Sequence, residues 1–494
     1  MSVGKKAGKG FVSIFYRNML EKLVGMAAMV ILARKLTPYD FGLVSITEAL
    51  LYLISSFGTT GLAEYLLAYR KDDSDEIFKS AFWFNICITA GICLLFIIAV
   101  PFWTDFQSDD RIWKIGLLLM AGFIFSQLQL IPKTLLSRNL MFDRQVKIQA
   151  PFIVLIAAGK IVAVYLNFGV YSLIIPTLLF QPATTFLLYR ASGFVPTLRL
   201  YINRWKEIYR FTRYLIGSGI LSRLADQGDK IILGKMLGLE VLGIYNIALQ
   251  LADLVSSQLV TVSNNILSSV LPKYVHDKNK FYNYYITFLK TFAFAMLPIL
   301  SIMLVNAKPI ILVLYGQQWI DAALPMQILI VYAVFRTLTS SYGSVMNSFH
   351  LNKISFKTTL AYTPFHITGS FIGAMFGIAG LATSVTLVKL LFTNIGIRQT
   401  MHAVSLPMGR WYKDLYPYLS GFVITLVLAF IIQQLKWGLD VIPLVAIAIN
   451  ALLFLTGYYL FYKLFFRREL ETISVFLNSV FPRSQKMFNF LFGI

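Results

Sequence analysis

The chain has 494 residues, 57% of them hydrophobic and only 14% charged, with a mean hydropathy of +0.69 and a net charge of +21. A soluble domain carries roughly a quarter charged residues to solvate its surface, so this composition excludes an ordinary water-soluble fold. With two cysteines and four scattered histidines, the sequence also excludes a disulfide-stapled scaffold and shows no metal-ligand spacing.

Crossing hydrocarbon takes about twenty predominantly apolar residues in a helix. Lipid admits only helices or closed barrels, because every backbone polar group must be satisfied internally. The apolar runs here have helical length and lack the strict alternation of barrel strands. Lys5, Lys6 and Lys9 precede the first run, which has no small-residue cleavage site and reads as a retained signal anchor. Apolar windows predict about fourteen spans. They lie near 15–36, 41–69, 77–102, 111–136, 146–167, 170–191, 208–237, 241–271, 282–307, 322–346, 355–376, 379–399, 415–435 and 441–465. Cys87 and Cys93 share the third window, about 9 Å apart along the axis at helical rise and too far to bridge. Beyond Tyr462, the residues Leu470, Ile473, Phe476, Leu477, Val480 and Phe481 recur at helical spacing before Pro482. That spacing predicts an amphipathic segment lying on a membrane surface.

With the N-terminus placed in the cytoplasm, the loops on that side collect most of the basic residues. Among them are Arg70, Lys71, Lys133, Arg138, Arg199, Arg204, Lys273, Lys353, Lys357, Arg398, Arg410 and Arg467. The opposite side has Arg34, Lys35, Arg111, Lys114, Lys235, Lys308 and Lys436, a ratio of roughly four to one that fixes the orientation and places both termini in the cytoplasm. The same asymmetry accounts for the net charge without nucleic acid as a partner.

Two segments match at an offset of 201 residues: Leu32–Leu43 (LARKLTPYDFGL) aligns with Leu233–Ile244 (LGKMLGLEVLGI). Phe168–Leu173 (FGVYSL) and Phe376–Leu381 (FGIAGL) match more weakly at a later turn. An even number of spans separates the copies, so the halves share one orientation, as in transporters built from parallel repeats. The predicted organisation is all-α and integral to the membrane: a cytoplasmic arm at 1–14, an N-lobe of six helices at 15–195 and a basic linker at 196–207. A C-lobe of six helices follows at 208–400, then two further helices at 401–465 and an amphipathic tail at 466–494. A cavity between such lobes is where a substrate sits.

The stretch Leu32–Leu43, with Gly58, Gly61 and Leu62 after it, resembles the start of bacterial polysaccharide flippases. So do Gly234–Gly238 with Leu242–Tyr245, and Leu314–Trp319 (LYGQQW). The chain is similar, over essentially its whole length, to Wzx-type members of the multidrug/oligosaccharidyl-lipid/polysaccharide exporter superfamily. These motifs are glycine and aliphatic patterns, so they point to the family better than to the substrate. The resemblance implies an undecaprenyl-diphosphate-linked oligosaccharide as substrate, carried from the cytoplasmic to the outer leaflet by alternating access. It implies surface polysaccharide assembly (O-antigen, capsule or exopolysaccharide) in a bacterial inner membrane, among membrane lipid and beside a glycan polymerase and export machinery.

An ionisable side chain within a span is costly and normally faces a wet cavity or a partner. Lys22, Arg223, Arg336, Lys160 and Lys389 are the expected anion-receiving set, and the offset that relates the halves places Lys22 on Arg223. Fixed cations of this kind receive a diphosphate through charge-assisted hydrogen bonds. An alternative is that Asp226, at i,i+3 from Arg223 and i,i+4 from Lys230, neutralises its own helix. Lys290, Glu64 and Lys22 lie near helix ends, from which they can snorkel. Asp253 and Glu48 have no opposite charge at i,i+3 or i,i+4 and are candidates for ion coupling, with Asp229 behind them. The stretch Gly4–Lys9 is one residue short of a phosphate loop. The expectation is therefore no cofactor, with coupling to a proton or sodium gradient or to the membrane potential.

Three other readings compete. A cation-coupled exporter of small drugs prefers carboxylates and aromatics in its cavity, whereas isolated cations predominate here. A membrane glycan polymerase or ligase needs a sizeable outer loop for acid, base and acceptor. The longest outer connections, near 103–111 and 308–321, are joint-sized, so no enzyme and no catalytic residue is expected. A scaffold without transport is the third reading, disfavoured by the repeat and the buried charges.

Overall fold

A computed structural model describes residues 3–58, 61–69, 74–197, 200–339, 342–349, 351–434 and 443–480. Arg70, Lys71, Arg199, Lys436 and the tail from Phe481, with Pro482, lie outside the described residues. Regular structure among the described residues is helical throughout.

Two compact units divide the chain, Met1–Gly243 and Ile244–Ile494. The first contains α1 (Val3–Lys35), α2 (Pro38–Ser55), α3 (Leu62–Ala68), α4 (Ser74–Gln107) and α5 (Arg111–Leu128). It continues with α6 (Leu130–Arg138), α7 (Phe142–Tyr165), α8 (Ile175–Ser192), α9 (Trp205–Leu237) and the first turn of α10 (Leu239–Val270). The second unit holds the rest of α10, then α11 (Lys278–Val305), α12 (Ala307–Leu314), α13 (Ala323–Thr339), α14 (Tyr342–Ser348) and α15 (Asn352–Ala374). It ends with α16 (Gly377–Val404), α17 (Met408–Gln434), α18 (Pro443–Phe465) and α19 (Arg467–Val480).

Eight helical stretches among the described residues are long and apolar enough to cross a membrane, and large side chains such as Leu94, Ile98, Leu452 and Leu464 stand exposed on them. Such surfaces are stable against hydrocarbon rather than water, and the protein is an all-α, multi-pass membrane protein. The windows at 41–69, 111–136 and 322–346 each hold two successive helices. In the first, the chain breaks at Gly61, which takes φ +95 and starts α3.

Local sequence explains how α2 begins. The Thr37 hydroxyl accepts from the Asp40 amide at 3.3 Å, the Asp40 carboxylate accepts from the Thr37 amide at 3.0 Å, and Pro38 occupies the first turn. This capping box satisfies donors that a helix start leaves orphaned. Beyond the cap, α2 meets the first turn of α10 backbone to backbone. A Cβ on Gly42 would fall 1.8 Å from the Leu239 carbonyl oxygen, and one on Gly243 would fall 1.9 Å from that of Pro38. All four residues belong to the first unit. The two contacts are exchanged copies, since Pro38 and Leu239, like Gly42 and Gly243, stand 201 positions apart. α9 packs on α2, α3 and α4, so the division between units falls after it, later in the chain than the 196–207 linker.

The turn between α4 and α5 is pinned to α2. Tyr39 donates to Asp109 Oδ2 at 2.6 Å, and Arg111 Nη2 lies 2.9 Å from the same oxygen. Burial pushes the Asp109 carboxyl upward, but the hydrogen bonds from Arg111 and Tyr39 outweigh it and hold the group below the usual carboxylate range.

In the second unit, α19 docks through an ionic cluster rather than an apolar face alone. Lys290 Nζ lies 3.2 Å from Asp414 Oδ1 and 3.1 Å from Glu469 Oε1. Tyr282 donates to Asp414 at 2.7 Å and Tyr418 to Glu469 at 3.0 Å, while Leu470 and Ile473 are buried beside them. Lys290 therefore does not snorkel: with 11% of its side chain exposed, it is compensated inside the fold.

Two predictions follow from these contacts. Gly42→Ala or Gly243→Ala forces apart two backbones and costs about 1–3 kcal/mol by overpacking, read as a lowered unfolding temperature in detergent. Gly25→Ala, whose Cβ meets nothing within 4 Å, leaves that temperature unchanged or raised. Because the Asp109 carboxyl is depressed, its stabilisation is fully present above the unfolded-state value of about 3.9 and fades as pH falls through the folded value. The unfolding-temperature gap between wild type and Asp109→Asn is therefore constant at neutral pH and closes in acid.

Candidate functional site

Within the first unit, α2, α5, α7 and α8 enclose a cavity of about 320 Å³. Its polar lining comes from Glu48 and Tyr52 on α2, Ser126 on α5, Lys160 on α7, and Thr177 and Gln181 on α8; leucine and isoleucine side chains provide much of the rest. The backbone brings these groups together. Gly159 sits against Pro176, where a Cβ would meet the proline ring at 3.0 Å, so α8 approaches α7 closely beside Lys160. A 3₁₀ turn at Gly169–Leu173, entered through Gly169 at φ +54, folds the chain back so that Leu173 and Ile174 complete the wall.

Charges in and beside this cavity come from α2, α7 and α9. Glu48 lies within electrostatic reach of Lys160 and of Lys230 on α9. The Arg223 guanidinium, also from α9, sits 5.5 Å from the centre of the Tyr52 ring, a cation–π contact. Gln181 Oε1 is buried and makes no hydrogen bond among the described residues. A buried acceptor without a donor is costly, and the cavity gives it room for a hydroxyl or water. Lys160 and Lys230 act on Glu48 and Arg223 covers the neighbouring Tyr52 ring, while Asp226 and Asp229 share α9 with Arg223 and Lys230; cations fixed beside a cavity suit an anion.

The sequence-predicted residues separate into groups. Glu48 and Lys160 line this cavity, and Arg223 lies on the Tyr52 ring beside it. Asp229 is buried one residue before Lys230, whose amide it accepts at 2.8 Å. Lys22 is half-buried on α1. In the second unit, Arg336 on α13 forms an ion pair with Asp253 on α10, and Ser256 Oγ donates to the same carboxylate at 2.9 Å. An expected anion receiver and an expected coupling carboxylate are thus partners. Lys389 on α16 lies 5.3 Å from the Tyr332 ring centre on α13. Sequence reasoning missed Tyr52 and Gln181. Tyr52 follows Glu48 by one helical turn, a spacing that marks a shared face; Gln181 carried no local signal.

The cavity can be tested by a double-mutant cycle. Lys160→Met leaves the Glu48 carboxylate less compensated and destabilises the protein, whereas Glu48→Gln with Lys160→Met recovers part of the loss. The expected coupling is on the order of 1 kcal/mol or more, measured by thermal unfolding; additive effects would show that the two groups do not interact.

A family profile described as "Polysaccharide biosynthesis protein" matches residues 31–324. The chain is 25% identical over 295 residues to the succinoglycan biosynthesis transport protein ExoT of Rhizobium meliloti (strain 1021), covering 58% of each chain. It is 21% identical over 283 residues to the teichuronic acid biosynthesis protein TuaB of Bacillus subtilis (strain 168), covering 57% of this chain and 58% of TuaB. These matches span less than two thirds of either relative. It is also 22% identical to the lipopolysaccharide biosynthesis protein WzxC of Escherichia coli (strain K12), over 75% of this chain and 76% of WzxC. Among solved structures, the lipid II flippase MurJ in an inward closed conformation shares the fold with a TM-score of 0.70 at 15% identity, over 91% of this chain and 99% of that one. A MATE family multidrug resistance transporter in an inward-facing conformation shares it at 0.60 and 14%, over 78% and 94%.

Proposed function

Because this chain belongs to the polysaccharide biosynthesis protein family, we propose that it is a flippase carrying an undecaprenyl-diphosphate-linked oligosaccharide from the cytoplasmic to the outer leaflet. The product feeds surface polysaccharide assembly, beside a glycan polymerase and export machinery. In this reading about fourteen helices cross a bacterial inner membrane, α1, α2, α9, α10, α15 and α17 completing the count, and both termini are cytoplasmic.

The observation that carries the reading is the convergence of Lys160, Lys230 and Arg223 on the Glu48–Tyr52 face of α2, beside a cavity in a helical unit with an apolar exterior. A diphosphate leaving the headgroup layer loses its hydration, and fixed cations replace it. Gln181 offers an acceptor to a sugar hydroxyl. Lys22 in the first unit and Lys389 in the second are further anion-receiving candidates. Arg336 contributes when Asp253 releases it, and protonation or sodium binding at that carboxylate is the release. Glu48 responds to the same ion from the first unit, with Asp229 as a further coupling group.

Replacing both Arg223 and Arg336 by glutamine is expected to abolish surface glycan at normal protein level in a deletion strain complemented with the variant. Unchanged glycan would discard the anion-receiving role. Asp253→Asn is expected to remove the sensitivity of transport to ionophores; transport indifferent to both the substitution and the ionophores would end the coupling proposal.

A further inference from the structure

α15 and α16 form an antiparallel hairpin drawn together at its turn end, where a Cβ on Gly380 would meet the Gly373 carbonyl oxygen at 2.5 Å. The start of α15 and the end of α16 therefore share the opposite end of the hairpin. A cleft of about 540 Å³ opens there, lined by Ile354, Lys357, Arg398, Gln399, His402 and Ala403. Thr358 Oγ1 donates to Gln399 Oε1 at 3.0 Å across the two helices, which leaves the Gln399 amide nitrogen as a donor.

Nothing acidic accompanies these groups in sequence. No aspartate or glutamate occurs between Asp321 and Asp414, so α13, α14, α15 and α16 carry no carboxylate within their contacts with one another. Asp414, at the start of α17, is already held by Lys290 and Tyr282. Helical spacing also sets an apolar strip below the cations. Leu360 stands one turn from Lys357 and Leu391 two turns from Arg398, exposed at 49% and 55%. A phosphate at the hairpin end with an apolar strip running away from it is the outline of a phospholipid at a membrane surface.

We propose that this cleft binds a phosphate-bearing anion, with an anionic phospholipid headgroup as its source. Arg398 presents a planar fork to two phosphate oxygens, and Lys357 adds a point charge. His402 and Gln399 complete the donor set, and an acyl chain lies along Leu360 and Leu391. The site is separate from the cavity in the first unit and does not depend on what that cavity carries.

The test uses the full-length protein in nanodiscs of phosphatidylcholine with or without phosphatidylglycerol, and native mass spectrometry counts the phosphatidylglycerol retained. A second arm titrates inorganic diphosphate in pure phosphatidylcholine discs and follows thermal unfolding. Wild type is expected to retain phosphatidylglycerol, and Lys357→Ala with Arg398→Ala to lose it about tenfold or more. Lys357→Arg with Arg398→Lys is expected to keep it, which separates lost charge from failed folding. Stabilisation by diphosphate that the double-alanine variant lacks, without lipid retention, supports the phosphate site with a soluble source. Equal lipid retention by wild type and the double-alanine variant, with no diphosphate response, overturns the site.

Discussion

A charge inside a bundle that faces hydrocarbon must be compensated by the protein or kept wet, because neither solvent nor lipid will do it at a small cost. The fold meets this constraint in distinct ways. Lys290 is enclosed by two carboxylates and by tyrosines that occupy the remaining lone pairs. Arg336 takes a single carboxylate across two helices. Lys160 and Lys230 share Glu48, and Arg223 lies on the Tyr52 ring, beside a cavity. The first arrangement is closed and structural; the last borders an open space.

Such placement needs rigid positioning, which comes from backbone contact at small residues. Without a hydrophobic drive between helices in lipid, close packing and interhelical hydrogen bonds must hold them. Gly42 and Gly243 bring the start of α10 onto α2 one and a half turns before Glu48. Gly159 does the same for α8 beside Lys160. The charged groups of the cavity are thus carried on helices whose separation is set by atoms that cannot yield.

How far this could be read from sequence depends on the range of each interaction. Helices were legible because a span imposes its own length and polarity on a contiguous stretch. The capping residues Thr37 to Asp40 are local and could be read as well. Pairing across helices was not legible. Arg336 and Asp253 each looked isolated because the search for partners reached only four residues along one helix, while the true partner lies 83 positions away. Lys290 looked able to reach the headgroups because its compensation arrives from residues 414 and 469. The break at Gly61 follows the mostly small and polar stretch Ser55–Thr60 inside one apolar window, and hydropathy averaged over a window carries no information about φ. Glu48 and Lys160 stand out in the sequence as charges within spans, but only folding reveals that they share a cavity.

The cluster around Lys290 also sets an order of events during synthesis. The chain is made from its N-terminus, so Lys290 enters the bilayer well before either carboxylate exists. Asp414 arrives first and Glu469 last, carried on the final described helix. Until that helix has left the ribosome, the second unit holds a lysine only half-neutralised and Tyr418 short of its partner. Completion of this unit therefore waits for α19, and a nascent chain stopped short of it carries a built-in mark of its incompleteness.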